Sequence, residues 1–377
     1  MNFKIKSANN IDVKATNKSN IKKLIYNQRN LTKQEIANTL KLSMPTVMQN
    51  IKVLKSEGLL EEYGTLESSG GRKPQLVHFN YNAKKSIGIT ISRNHIRIVI
   101  INLENQIQYD KKFHSIFESI EEYWTRLNSQ LLQILKEENI KLKDVLGIGF
   151  ALPGSINSRL GRLEFAPTIM LKNFDLHELE TYFDLPVIFE NEANAAGFAE
   201  VWCREILNDA IYLSITKGVG GAVILDNTIF HGKNGYCGEF GHTIIYQKGT
   251  ECSCGKLGCL EAYCSVNALV KDYDGDLDEF FEEVKKGSKK EVIVWEEYLN
   301  NLALGIHNLK MTFDLDIIIG GEISGFLIND IESLNKKVMS LLQLEEDVTF
   351  IRISQLGENA SALGGALMIV SSFLDEV

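Results

Sequence analysis

Three helical patterns follow one another between residues 20 and 58, where apolar side chains recur every three or four positions. The first, over 20–29, puts Ile21, Leu24 and Ile25 on one face. The second opens with Thr32-Lys-Gln-Glu35, a capping box in which the outer residues satisfy each other's orphan amides, and turns Ile36, Ala37 and Leu40 inward. The third has Ser43 as N-cap and Pro45 in its first turn, where a missing amide costs little. Its stripe is Val47, Ile51 and Leu54, with Gly58 as the stop. Only Lys41 and Leu42 separate the second helix from the Ser43 cap, which predicts a helix-turn-helix. The period then falls to two over 59–63 and 75–79, around a small basic loop at 68–74, which predicts a β-hairpin wing.

Beyond residue 85 strand and helix patterns alternate. Strands are predicted at 86–92, 95–103, 145–151, 187–190, 210–216, 221–225 and 317–319. Helices are predicted at 119–138, 176–183, 192–204, 260–270, 292–312, 327–343 and 358–375. The expectation is an α/β body of two lobes behind a winged helix-turn-helix. Glycine-rich turns fall at strand ends, at Gly154, 218–221 and 320–321. The acidic stretch 272–283 reads as a solvated loop and helix face.

Composition leaves this picture intact. The 377 residues are 44% hydrophobic and 24% charged, ordinary for a globular chain and unlike a disordered or collagen-like one. No apolar run approaches the ~20 residues of a membrane span, and the N-terminus lacks a signal-peptide stretch. A soluble, cytoplasmic protein is expected. Charge changes the picture more. Residues 1–85 hold 15 Lys/Arg against 6 Asp/Glu, a balance of +9, so the overall −9 conceals a body of −18. A basic module on an acidic body points to a polyanion as the module's partner.

On the third helix Pro45, Thr46, Gln49 and Lys52 point away from the apolar stripe, with Asn50 at its edge and Ser43 at its cap. Gln and Asn read adenine edges, whereas Lys meets phosphate. Arg72 and Lys73 at the wing tip are placed to reach a minor groove or flanking phosphate. A plain three-helix bundle would share this periodicity; the short turn and the charge balance favour DNA binding. A pair of half-sites then calls for a homodimer or a dimer of dimers.

The sharpest chemical signal lies between residues 238 and 261. His242, Cys252, Cys254 and Cys259 form a Cys₃His set of tetrahedral Zn²⁺ type, and the intervening glycines permit the turns that gather three sulfurs. Four protein ligands leave no open position, so the expected zinc is structural, one per chain. Cys203, Cys237 and Cys264 have no comparable spacing and read as small buried or half-buried residues.

The run Gly235-Tyr-Cys-Gly-Glu-Phe-Gly-His242, followed by Cys-x-Cys-Gly-x-x-Gly-Cys-x-Glu, resembles the ROK family of repressors, open reading frames and kinases. Ala151-Leu-Pro-Gly154, Glu190-Asn-Glu-Ala-Asn-Ala-Ala196, Lys217-Gly-Val-Gly-Gly-Ala222 and Ile318-Ile-Gly-Gly-Glu-Ile-Ser324 extend the likeness over essentially 80–370. The resemblance implies a two-lobed actin-like, sugar-kinase-type body with a sugar between the lobes. The implied sugar contacts are Asn191, Glu192, Glu239, His242, Glu261 and Gly154, with His242 also on the zinc. It divides the chain into a DNA-binding domain at 1–82 and a sugar-binding body at 83–377. The body's small lobe is about 83–195 plus the C-terminal helix, and its large lobe is about 196–357.

Three departures bear on catalysis. Where the family's kinases carry Asp-x-Gly-Gly-Thr-Lys, this chain has Gly88-Ile-Thr-Ile-Ser-Arg, with Thr90 about where the Asp belongs. The second phosphate loop reads Thr216-Lys-Gly-Val-Gly220, and the catalytic Asp is Glu192. A carboxylate displaced on the ~1 Å scale can cost two orders of magnitude in rate. The expectation is therefore a sugar-responsive repressor that needs no ATP, against the alternatives of a sugar kinase or a sugar-binding protein without a DNA role. The Asn-Glu-Ala-Asn-Ala run resembles that of xylose-responsive repressors, so xylose is the first expected effector, before glucose and N-acetylglucosamine.

Overall fold

The computed structural model describes residues 10–63, 75–157, 160–204, 207–273, 275–343 and 349–376. Its first three helices are α1 (Asn10–Gln28), α2 (Lys33–Leu40) and α3 (Met44–Ser56). They close on Ile21, Ile25, Ile36, Val47, Ile51 and Leu54. The capping box forms as expected: Glu35 N donates to Thr32 Oγ1 at 3.2 Å and Thr32 N to Glu35 Oε2 at 2.7 Å. Strands β1 (Asn30–Thr32), β2 (Leu60–Tyr63) and β3 (Leu76–Phe79) make an antiparallel sheet with β3 in the middle. Glu62 on β2 pairs with both Lys33 and Lys55 at 2.8 Å, tying the hairpin to α2 and α3.

The next sheet contains β4 (Lys85–Ile91), β5 (His95–Asn102), β6 (Ile107–His114), β7 (Val145–Leu152) and β11 (Val187–Asn191). Its order is β11-β7-β4-β5-β6; the first three strands run antiparallel in chain order, and β7 and β11 lie parallel beyond β4. α4 (Glu121–Glu137) buries Tyr123, Trp124, Leu127 and Leu131 in the core of this lobe. Between β7 and β11 a three-stranded flap of β8 (Ser155–Asn157), β9 (Arg162–Ala166) and β10 (Leu171–Asp175) precedes α5 (His177–Glu180). α6 (Glu192–Trp202) starts where β11 ends.

The second lobe repeats the plan. Its strands are β12 (Ala210–Ile215), β13 (Val219–Leu225), β14 (Thr228–Ile229), β15 (Asp316–Gly320) and β16 (Ile351–Ile353), ordered β14-β13-β12-β15-β16. Three antiparallel strands followed by two parallel ones is the arrangement of the first sheet, so the two lobes share one topology. The helices of this lobe are α7 (Glu261–Cys264), α8 (Val266–Leu269), α9 (Leu277–Lys285), α10 (Lys289–Phe313), α11 (Ser324–Leu327) and α12 (Ile331–Leu342). The final helix, α13 (Ala360–Asp375), packs on α6 and on β4 and β7. No helix among the described residues is long and apolar enough to cross a membrane.

Several expectations need correction. The first helix begins at Asn10, well before residue 20. The expected 260–270 helix is two pieces broken at Ser265, whose hydroxyl caps α8 by accepting Ala268 N at 3.1 Å. The acidic stretch 272–283 is not mainly solvated: α9 buries Leu277, Phe280 and Phe281. Strands β1, β6, β8, β9, β10, β14 and β16 were not foreseen. Cys264 is buried and Cys237 half-buried, but Cys203 is exposed because α6 ends there.

Candidate functional site

The ligand set is assembled by a short turn and a tight loop. Phe240–His242 forms one 3₁₀ turn after Gly238, and single bridges between Ile244 and Cys259 and between Glu251 and Leu257 fold the following loop back on itself. Gly258 has φ +80°, and a Cβ there would lie 1.6 Å from the Tyr246 carbonyl oxygen, so the turn requires glycine. The result brings one ligand atom each of His242, Cys252, Cys254 and Cys259 within 4.8 Å of one another. Cys254 and Cys259 Sγ are 3.8 Å apart, as are Cys252 Sγ and His242 Nδ1. The sulfur–sulfur spacing is far beyond a disulfide, and it matches the ~3.8 Å edge of a tetrahedron with metal–sulfur bonds of ~2.3 Å. The four residues fit a metal, which His242 would hold through Nδ1, the nitrogen that faces Cys252 Sγ, while its Nε2 lies 4.0 Å from Glu239 Oε2.

Glu261, at the start of α7, braces this loop. One carboxylate oxygen accepts Ser253 Oγ at 2.6 Å, and the other accepts Val219 N at 3.0 Å. Both oxygens are thus engaged in holding the metal loop to the 216–219 turn. Glu239 is half-buried, and burial pushes its carboxyl up; His242 opposes this and Glu261 adds to it.

The other half of the constellation sits where β11 meets α6. Asn191 is the N-cap of α6: its Oδ1 accepts Ala193 N at 2.8 Å and Asn194 N at 3.1 Å, while its Nδ2 donates to Gly154 O at 2.7 Å. Gly154 has φ +95°, which an L side chain rarely tolerates. The neighbouring Glu190 is buried, accepting Asn191 N and Asn194 Nδ2, each at 2.8 Å. Its second oxygen meets His231 Nε2 at 2.6 Å. Glu190 belongs to the first lobe's sheet and His231 to the loop after β14, so the pair links the lobes beside Asn191. Sequence reasoning missed both residues, because 41 positions separate them. Ser155 Oγ, next to Gly154, and Thr90 Oγ1 are buried hydroxyls with no hydrogen-bond partner among the described residues. Such orphans suit a polyhydroxylated ligand.

Glu192 begins α6, and burial, reinforced by the Glu322 charge, pushes its carboxyl up to about 7. A folded pKa above the unfolded one favours the fold most at low pH, and that contribution is lost as pH rises through about 7. Glu192→Gln is therefore expected to raise stability at pH 8 by about 1–2 kcal/mol, discounted because the side chain still meets solvent, and to change little at pH 4–5. Urea melts at both pH values test this; equal gains at the two would refute it.

On α3, Gln49 and Lys52 are exposed. Ser43 and Asn50 are partly committed: Ser43 Oγ accepts Thr46 N at 3.3 Å and contacts Thr46 Oγ1 at 2.8 Å, and Asn50 Nδ2 donates to Thr46 O at 2.9 Å. Arg72 and Lys73 lie outside the described residues.

Residues 86–372 match the ROK family model. The chain is 30% identical to the xylose repressor of Bacillus spizizenii, over 97% of each protein. A crystal structure of a ROK family transcriptional regulator, a homolog of the E. coli MLC protein, superposes with a TM-score of 0.81 at 22% identity, covering 97% of each chain. A ROK hexokinase from Thermus thermophilus superposes with a TM-score of 0.67 at 25% identity, covering 77% of this chain and 99% of its own. The chain belongs to the ROK family.

Proposed function

We propose that this chain is a sugar-responsive transcriptional repressor. Residues 1–82 read operator DNA through α3 and the wing, and residues 83–377 bind a monosaccharide between the lobes, xylose being the first candidate. The observation that carries this reading is the likeness to a xylose repressor along 97% of both proteins, DNA-reading segment included. The sugar site comprises Asn191, Glu192, Glu239, His242, Glu261 and Gly154, with Glu261 acting mainly as a positioning residue because both its oxygens are engaged. The small lobe is about 83–195 with α13, and the large lobe about 196–357. His242, Cys252, Cys254 and Cys259 would hold zinc, which would fix His242 and the 250–259 loop and, with four protein ligands, would serve a structural role. The protein works in the cytoplasm as a homodimer or dimer of dimers on a near-palindromic operator.

Kinase activity is the alternative, favoured only by the shared body. Two features weigh against it. Thr90 replaces an acid, and the Val219 amide, in the turn corresponding to a phosphate loop, already donates to Glu261. The test combines fluorescence polarisation on DNA upstream of the chain's own gene, with xylose, glucose or N-acetylglucosamine, and a coupled ADP-release assay. The expected outcome is salt-sensitive DNA binding altered by one sugar at least ~5-fold, without ADP release. Turnover on the order of 1–100 per second would establish the kinase instead.

A further inference from the structure

The hydrophobic core of the N-terminal module does not end at the module. Ile21, Ile25, Val47 and Phe79 belong to one continuous cluster with Leu363, Leu367, Val370 and Leu374 of α13, Ala196 and Phe198 of α6, and Tyr212 and Ile224 of the second sheet. α13 is seated against its neighbours backbone to backbone. A Cβ on Gly364 would lie 1.9 Å from the Ala195 carbonyl oxygen, and one on Gly365 would lie 2.4 Å from that of Gly149. Neither contact leaves a side chain to absorb movement. Ala195 is one turn into α6 from its Asn191 cap, so the sugar constellation and α13 share a rigid contact.

The far end of α13 is held by α1. A helix leaves its last carbonyls without intrahelical partners and carries partial negative charge there. Leu374 O accepts Ser19 Oγ at 3.0 Å, and Phe373 O accepts Lys22 Nζ. Glu376 O lies 3.5 Å from the same ammonium, which also sits 4.4 Å from the centroid of the Phe373 ring. Lys22 is only 4% exposed, unusual for a lysine, and it has spent its hydration on these contacts. Lys23 adds an ion pair to Asp375. Ten residues of helix, about 15 Å, separate the Gly364 contact from the Leu374 carbonyl.

We propose that α13 is the rod that makes the DNA-reading module move as one body with the first lobe, and that Lys22 with Ser19 is the latch at its end. The inference rests on the reading of the chain as a sugar-responsive DNA-binding protein and deepens it by assigning the coupling to named contacts. Sugar bound between the lobes changes the angle of one lobe to the other. With the latch closed that change is passed to the reading helices; with it open they swing independently, and operator affinity no longer depends on sugar.

The test uses the full-length protein. Lys22→Met keeps the apolar stem but cannot donate to the carbonyls, and Ser19→Ala removes the second donor. Sugar affinity, operator affinity with and without sugar, and hydrogen exchange of residues 17–28 are measured for each. Wild type is expected to show a coupling factor of roughly 5–150. Lys22→Met should bring it below about 2 while leaving sugar affinity within about 2-fold, and should abolish any sugar-dependent change in exchange over 17–28. Ser19→Ala should give an intermediate factor. If Lys22→Met loses operator binding outright, Ser19→Ala decides, and its unchanged coupling overturns the latch. Coupling in Lys22→Met equal to wild type also overturns it, with the repressor reading untouched. A wild-type protein whose operator affinity ignores every sugar it binds defeats the functional reading itself.

Discussion

Cys259→Ser is expected to strip the metal from the 242–259 loop and to weaken monosaccharide binding at least ~10-fold. Cys259 is fully buried, and its sulfur lies 3.8 Å from Cys254 Sγ and 3.7 Å from the His242 carbonyl oxygen. A hydroxyl there is a much poorer ligand than a thiolate for a borderline-soft cation. Structural zinc contributes on the order of 10 kcal/mol to holding such loops, so losing one of four ligands releases the loop rather than merely loosening it. Two consequences follow for the cleft. His242 loses the partner of its Nδ1, so its Nε2 is no longer aimed toward Glu239. Glu261 loses the ordered Ser253 that holds one of its oxygens, and with it the grip on Val219. Metal analysis of the freshly purified variant and sugar titration by calorimetry check the two parts separately. Retained stoichiometric zinc would refute the ligand assignment, and intact sugar affinity in a metal-free variant would refute the link between metal and cleft.

What could be read from the sequence follows the range of the interactions involved. The Cys₃His cluster was legible because its members fall within 18 positions and Gly255 and Gly258 between them take the left-handed φ of +80° that the turns need. The helix-turn-helix was legible because its caps are local: Thr32 with Glu35, and Ser43 with Pro45 in the first turn. The first half of α1 was not, since the stretch up to Asn20 is polar and offers no apolar stripe, and Ser19 and Lys22 find their partners some 350 positions away. β6 was hidden for a different reason: it is an edge strand with mostly exposed side chains, so one-sided alternation never develops. For α9 a signal was present and outweighed by acidic composition. Leu277, Phe280 and Phe281 keep helical spacing behind an Asp276 cap that accepts Glu279 N at 3.0 Å. The Glu190–His231 pair had no local signal, because it exists only once the two lobes meet.

The same dependence on distant backbone sets the second large effect. Gly149→Ala is expected to destabilise the protein by about 3 kcal/mol or more, the upper end of overpacking costs. Gly149 lies on β7, where an added Cβ would stand 2.0 Å from the Gly365 carbonyl oxygen and 2.4 Å from its carbon. The obstacle is backbone on a helix that is itself held by α6 and, at its C-terminal end, by α1, so no rotamer change relieves the clash; α13 must shift as a unit. Gly88 faces the same helix, with a would-be Cβ 1.7 Å from the Ala362 carbonyl oxygen, which accounts for glycine at 88 through packing. Gly325 supplies the control: it lies in α11 with nothing within 4 Å of the added atom and no left-handed φ. Gly325→Ala should leave stability unchanged or raise it by about 0.5–1 kcal/mol through helix propensity. Denaturant melts of the two variants separate these outcomes. A Gly149→Ala protein as stable as wild type would mean that α13 is seated loosely enough to move without cost, and a loosely seated helix cannot carry a lobe rotation to the reading helices.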